Sequence, residues 1–222
     1  MKKPVFYDDL VLDISNVERK ITPVYRALSL KYYQKVKHLS LNEVLEISTY
    51  LLDSGLWVQK LIGFDFAYRK RKEYKVETFD VFEDWVKKYI KDWYDCDDFT
   101  THALGYLIDM YPNLSYRLKN WVDHPNFAVR RAAATSLLIP IKKRNHQIIN
   151  PFEISDLLLH DEHYLVQKGF GWMLKVYAQY EEDLVVDYLI DKHQVITRLA
   201  FRYAIEKMPK DVKNRLMNLS NN

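Results

Sequence analysis

Ala128-Val129-Arg130-Arg131-Ala132-Ala133-Ala134 is one of four related segments in the chain. The others are Trp57-Val58-Gln59-Lys60-Leu61-Ile62-Gly63, Leu165-Val166-Gln167-Lys168-Gly169-Phe170-Gly171 and Val195-Ile196-Thr197-Arg198-Leu199-Ala200-Phe201. Each contains a β-branched residue, a polar one, then Lys or Arg, then small or apolar residues. The basic positions 60, 131, 168 and 198 are 71, 37 and 30 residues apart, and the first gap has room for one more degenerate unit. A period in the thirties built from helix pairs marks an α-solenoid of HEAT-like repeats.

The surrounding sequence agrees. Apolar residues recur at three- and four-residue steps in Val44-Ile47-Tyr50-Leu51, in Phe82-Trp85-Val86-Tyr89-Ile90 and in Leu104-Leu107-Ile108-Tyr111, the pattern of amphipathic helices. Strict alternation over a strand length is scarce. Breaks fall at Asp53-Ser54-Gly55, Tyr111-Pro112-Asn113, His124-Pro125-Asn126, Asn150-Pro151 and Met208-Pro209, which predicts helices of about 10–18 residues joined by short turns. The fold class is therefore all-α, a HEAT-like repeat solenoid of antiparallel helix pairs. No linker rich in Pro, Gly or Ser interrupts it, so one domain over 1–222 is expected. Residues 1–21 form a short extension with one short helix at most.

Composition narrows the function. With 222 residues, 48% apolar and 28% charged, the chain is large enough to bury its own core. Five glycines disfavour an all-β chain, and neither G-x-G-x-x-G nor G-x-x-x-x-G-K-[ST] occurs, so the common nucleotide fingerprints are missing. A single cysteine, Cys96, rules out an internal disulfide framework and a thiolate metal cluster and points to a reducing compartment. No apolar stretch is long enough to span a membrane, and none follows the basic residues at Met1-Lys2-Lys3 as a signal peptide requires. A cytoplasmic protein is expected.

Net charge is +3, so only the distribution of charge points to an anionic partner. Equivalent positions of a solenoid line up on one surface, which would make Lys60, Arg131, Lys168 and Arg198 a positive stripe suited to a nucleic-acid backbone. Two basic runs, Arg69-Lys70-Arg71-Lys72 and Lys142-Lys143-Arg144, sit where helices should end. There the helix dipole alone favours Lys and Arg.

The most unusual segment is Asp92-Trp93-Tyr94-Asp95-Cys96-Asp97-Asp98-Phe99-Thr100. Trp93 and Asp97 are four apart and share a face if the backbone is helical. Asp97 and Asp98 read as the opening of the helix that runs to Met110, as a cap or a favourable dipole charge. His160-Asp161-Glu162-His163 has two histidines three apart but no third ligand nearby, and reads as a surface turn. Cys96 has no histidine at a diagnostic spacing. Trp57, Trp85 and Trp121 read as packing residues. Arg131 could pair with Asp97 as a structural ion pair between neighbouring repeats.

Taken in order, Trp93, Asp97, Leu104-Gly105, Pro112, Trp121, Asn126 leading into Arg130-Arg131-Ala132-Ala133, and Gln167-Lys168-Gly169-Phe170-Gly171-Trp172-Met173-Leu174-Lys175 resemble the DNA alkylation repair proteins of the AlkD type over roughly residues 22–207. The resemblance implies HEAT-like-repeat DNA glycosylases, which remove N3- or N7-alkylated purines from duplex DNA held on a concave surface. It implies Asp97 as the catalytic carboxylate, Trp93 and Trp172 as the aromatics facing the deoxyribose, and Arg131 as a phosphate anchor. Arg130, Lys60, Lys168 and Arg198 are further candidates for backbone contact. A cationic leaving group needs no metal or cofactor, so none is expected, and a monomer without membrane attachment is. Family members also carry an extra N-terminal helical portion that contacts DNA, whereas here twenty-one residues precede Thr22. A second reading therefore stays open: a non-catalytic relative without lesion recognition, binding DNA structures or serving as a protein-interaction scaffold.

Overall fold

The computed structural model describes residues 3–219; the opening Met1-Lys2 lies outside them. The described residues are helical and joined by turns, with no strand. The helices are α1 (Tyr7–Ser15), α2 (Thr22–Val36), α3 (Leu41–Asp53), α4 (Trp57–Arg69), α5 (Thr78–Tyr89), α6 (Trp93–Phe99), α7 (Gly105–Met110), α8 (Phe127–Thr135), α9 (Leu138–Lys142), α10 (Pro151–Leu158), α11 (Tyr164–Tyr177), α12 (Glu182–Lys192), α13 (Arg198–Ala204) and α14 (Lys210–Leu219). A π-helical turn, Thr100–Leu104, joins α6 to α7, and a 3₁₀ segment spans Pro112–Trp121. No helix among the described residues is long and apolar enough to cross a membrane. The two basic runs do fall at helix ends: Arg69 closes α4 and Lys142 closes α9.

The chain separates into two compact units, Met1–Tyr89 and Ile90–Asn222. In the first, Phe6 and Leu10 from the N-terminal extension enter a core with Tyr25, Tyr32, Val36, Val44, Leu51 and Phe66. The Phe6 ring lies 5.5 Å from Tyr32 and 6.2 Å from Phe66. The Tyr32 hydroxyl donates to Asp13 at 2.8 Å and ties α1 to α2. Burying an aromatic of this size stabilises by about 1.5–3 kcal/mol, so Phe6 and Leu10 anchor the N-terminal extension to this unit's core. A reciprocal capping box at Ser40 and Glu43 starts α3. Gly55, in the left-handed region at φ 72°, turns the chain into α4.

Asn150 caps α10, and four further side-chain caps in the second unit recur at one pitch. Asp92 caps α6, Asn126 caps α8, His163 caps α11 and Thr197 caps α13. These positions are 34, 37 and 34 residues apart, and α6 packs on α8, α8 on α11, and α11 on α13. Long-range polar contacts keep the same pitch. Thr100 bonds Thr135 across 35 residues, Asn126 bonds Ile90 across 36, Arg131 bonds Asp97 across 34 and Lys119 bonds Glu153 across 34. Each links groups 34 to 36 residues apart in the chain. The glycine of the Gly-Trp pair is explained by this stacking. A Cβ on Gly171 would lie 2.8 Å from the Ala200 carbonyl oxygen and from Tyr203 Cβ, so only glycine lets α11 and α13 approach this closely.

The caps correct the sequence alignment in one place. The fifth residues after the caps are Asp97, Arg131, Lys168 and Arg202. Arg198 instead occupies the first position of α13. Matching short apolar segments slipped the last repeat by one helical turn, because apolar residues recur at every turn of a buried helix.

Candidate active site

Asp92, and neither Asp97 nor Asp98, opens the helix. Its carboxylate accepts from the Trp93 backbone N–H at 2.7 Å. This frees Asp97 from a capping role and places it one turn into α6, on the face of Trp93. Trp93 is 49% exposed, well above what a packing residue of its size requires. Immediately below, Cys96 is buried; its sulfur lies 3.6 Å from Thr135 Oγ1, which also accepts from the Thr100 hydroxyl at 2.9 Å. This small polar network fixes α6 against α8 at the level of Asp97. Burial, followed by the charge of Asp97, pushes the Cys96 thiol up to about 12. A thiol reagent is therefore expected to leave the native protein unlabelled and to titrate one thiol after denaturation.

Arg131 comes from α8, whose entry is fixed by Asn126. That side chain accepts from the Ala128 N–H at 2.9 Å and donates to the Ile90 carbonyl at 2.7 Å. Losing both bonds in Asn126→Ala is expected to cost about 1–2 kcal/mol in chemical unfolding. Arg131 is only 5% exposed. Its Nε and Nη2 donate to the two oxygens of Asp97, each at 2.8 Å, and its Nη1 donates to the Leu165 carbonyl. Burial pushes the guanidinium towards neutrality, but the hydrogen bonds and charge of Asp97 outweigh it and hold its pKa above the ordinary value. The side chain crosses α11 at Gly169, where a Cβ would come within 3.0 Å of Arg131 Cγ. Asp97 keeps 21% of its side chain exposed.

This geometry changes several expectations. Arg131 turns three donors inward, onto the Asp97 carboxylate and the Leu165 carbonyl. Arg130 is likewise engaged. Its Nε and Nη2 bond Asp161 at 2.6 and 3.2 Å, and Nη1 reaches the His124 carbonyl at 2.8 Å. Lys60, in the first unit, is 4% exposed, with Nζ 3.5 Å from the Tyr89 carbonyl; buried there, it does not present a cation to solvent. Trp172 and Lys168 lie one turn apart on α11, both partly exposed. Lys168 Nζ sits over the rings of Tyr164 and Tyr203, at 5.2 and 5.8 Å. Arg198 is exposed, with Nη2 3.6 Å from Met217 Sδ.

The His160–His163 segment is a turn held by Asp161, which pairs with Arg130 and accepts from the His163 N–H. The His163 ring caps α11 and stacks on Phe127 at 3.9 Å. No group of three or more His, Cys, Asp or Glu side chains among the described residues is arranged to hold a metal ion. Trp85 and Trp121 are buried, and Trp57 packs edge-on against Tyr25, as packing residues should. Sequence reasoning missed Arg202; the Asp, Asn, His and Thr residues at cap spacing were the signal that leads to it.

The model of the DNA alkylation repair enzyme family matches residues 21–208. The solved structure of a predicted DNA alkylation repair enzyme from Enterococcus faecalis superposes with a TM-score of 0.70 at 19% identity, covering 85% of this chain and 86% of that one. At that identity the likeness speaks for the fold. No curated protein matches. With the family model spanning most of its length, the chain belongs to the DNA alkylation repair enzyme family.

Proposed function

We propose that this protein is a cytoplasmic, monomeric HEAT-like solenoid that hydrolyses the N-glycosidic bond of N3- or N7-alkylated purines in duplex DNA. The observation that carries the reading is the pairing of an exposed Trp93 with a partly exposed Asp97 one turn later, the carboxylate oriented by a buried arginine. Alkylation leaves the purine positively charged. When the C1′–N bond breaks, its electron pair returns to the purine nitrogen, the base leaves neutral and the sugar carries oxocarbenium charge. A fixed carboxylate stabilises that charge and orients the water that adds to C1′. The faces of Trp93 and Trp172 favour the same cation. Water supplies the oxygen bound to C1′, and its proton passes to solvent. The bidentate bond from Arg131 keeps Asp97 in one rotamer, so no reorganisation is required as charge develops.

The test is release of N3-methyladenine and N7-methylguanine from methylated duplex DNA in the presence of a chelator. Release by the wild-type protein is the expected result; none from a folded protein rejects the glycosylase reading. One observation favours the alternative, a non-catalytic relative that binds DNA structures or proteins. Both oxygens of Asp97 already accept from Arg131, which is also what a purely structural ion pair between repeats would look like. Salt-dependent duplex binding without base release identifies a DNA-structure binder, and neither identifies a protein scaffold.

A further inference from the structure

The cap register of the second unit groups side chains that the sequence alignment left apart. Along its fifth positions stand Asp97, Arg131, Lys168 and Arg202. The first two neutralise each other. Among the described residues, Lys168 and Arg202 form no ion pair, and neither does Arg198, one turn before Arg202 on α13. The faces carrying these three cations adjoin. Gly171 brings α11 against Ala200 and Tyr203. Lys168 Nζ reaches the Tyr203 ring. Lys175 bridges to Glu206 at 3.0 Å. A shallow groove on α13 is lined by Arg198, Leu199, Arg202, Tyr203 and Glu206. Its one acidic group, Glu206, is already taken by Lys175, leaving the positive charge of the two arginines uncompensated. Their Cβ atoms, one turn apart, are about 6 Å from each other. The rings of Tyr164 and Tyr203 steer the Lys168 ammonium at modest desolvation cost. Trp172 follows Lys168 by one turn on the same face of α11.

We propose that Lys168, Arg198 and Arg202 are the backbone anchors of this protein, gripping the phosphates of one duplex strand, while Arg131 positions Asp97 and touches no phosphate. The inference rests on the reading of the chain as a duplex-DNA-binding protein. It moves the electrostatic grip away from Arg131, beyond α8, and adds Arg202.

Fluorescence anisotropy with a labelled duplex, titrated over a range of salt concentrations, tests it. Each phosphate contact contributes about 0.9 to the slope of log K against log salt. Lys168→Gln, Arg198→Gln and Arg202→Gln should each flatten the slope by about that amount, and the triple variant by about 2.7. Lys119→Gln, a surface lysine paired with Glu153, is the charge-matched control and should keep the wild-type slope. A triple variant with the wild-type slope overturns the inference and leaves the DNA reading intact. So does a control that flattens the slope as much as the three variants do. A wild-type protein without measurable duplex affinity at low salt overturns both.

Discussion

Asp97→Asn is expected to reduce release of alkylated purine by between about 30- and 1,000-fold while the protein remains folded. The range follows from Coulomb's law. A carboxylate about 4 Å from an oxocarbenium centre stabilises it by about 4 kcal/mol at an effective dielectric near 20, which is about a thousandfold in rate. Arg131 lies behind the carboxylate and opposes this. Because Arg131 is present in both proteins its repulsion cancels in the comparison, and the lower end of the range corresponds to a wetter site, where an effective dielectric near 40 halves the contribution of the carboxylate to about 2 kcal/mol. Asn keeps the size and one acceptor but loses the charge, so the variant isolates electrostatics from shape. Initial rates on methylated duplex at saturating protein measure the loss, and a matching circular dichroism spectrum establishes the fold. Less than a threefold change would mean that Asp97 belongs to a structural ion pair and nothing more. The size of the effect also separates the aromatics from the carboxylate. In the proposed reaction the Trp93 ring supplies a contact with the sugar and not a charge, so its removal is expected to cost less.

Which parts of this arrangement could be read in the sequence depends on how local their causes are. Helices announce themselves through apolar spacing within a dozen residues, and the breaks at Gly55, Pro112, Pro125 and Pro151 mark their limits. Asp97 and Trp93 could be placed on one face because four residues make a turn. The start of α6 was misread because four aspartates compete for one cap, and only backbone geometry shows that Asp92 holds it. The pairing of Arg131 with Asp97 was visible only as one possibility. A residue 34 positions away is brought close by stacking of whole helices, and the sequence carries the period but not the depth of burial. The same limit explains Lys60 and Arg130. A basic residue followed by apolar ones looks alike whether its head reaches solvent or bends back onto a carbonyl or a carboxylate. Arg202 escaped notice because the repeat was aligned on apolar residues, which recur every turn, and not on caps, which occur once per helix.

Arg131→Met is expected to destabilise the unit Ile90–Asn222 by about 3 kcal/mol, the lower end of the cost of breaking a buried ion pair. The lower end applies because the Asp97 side chain retains 21% exposure and water can reach the abandoned carboxylate. The Leu165 carbonyl loses its donor as well, which adds the desolvation cost of an unpaired acceptor. Met fills similar length, so little of the loss comes from a cavity. A change of this size lowers the unfolding midpoint by roughly 6–12 °C. Pairing this variant with Asp97→Asn in a double-mutant cycle gives the coupling directly. Two groups bonded bidentately should show an interaction energy above about 1 kcal/mol, so the second substitution costs much less once the first is made. The outcome also bears on how binding and chemistry are divided. If Arg131 holds Asp97 and not DNA, the Met variant loses stability and base release but keeps the wild-type salt slope for duplex binding. If it holds phosphate, the slope flattens by about 0.9. An unchanged slope with a lowered midpoint would mean that Arg131 makes no phosphate contact and acts through Asp97 and the stability of its unit, as the proposed grip on α11 and α13 requires.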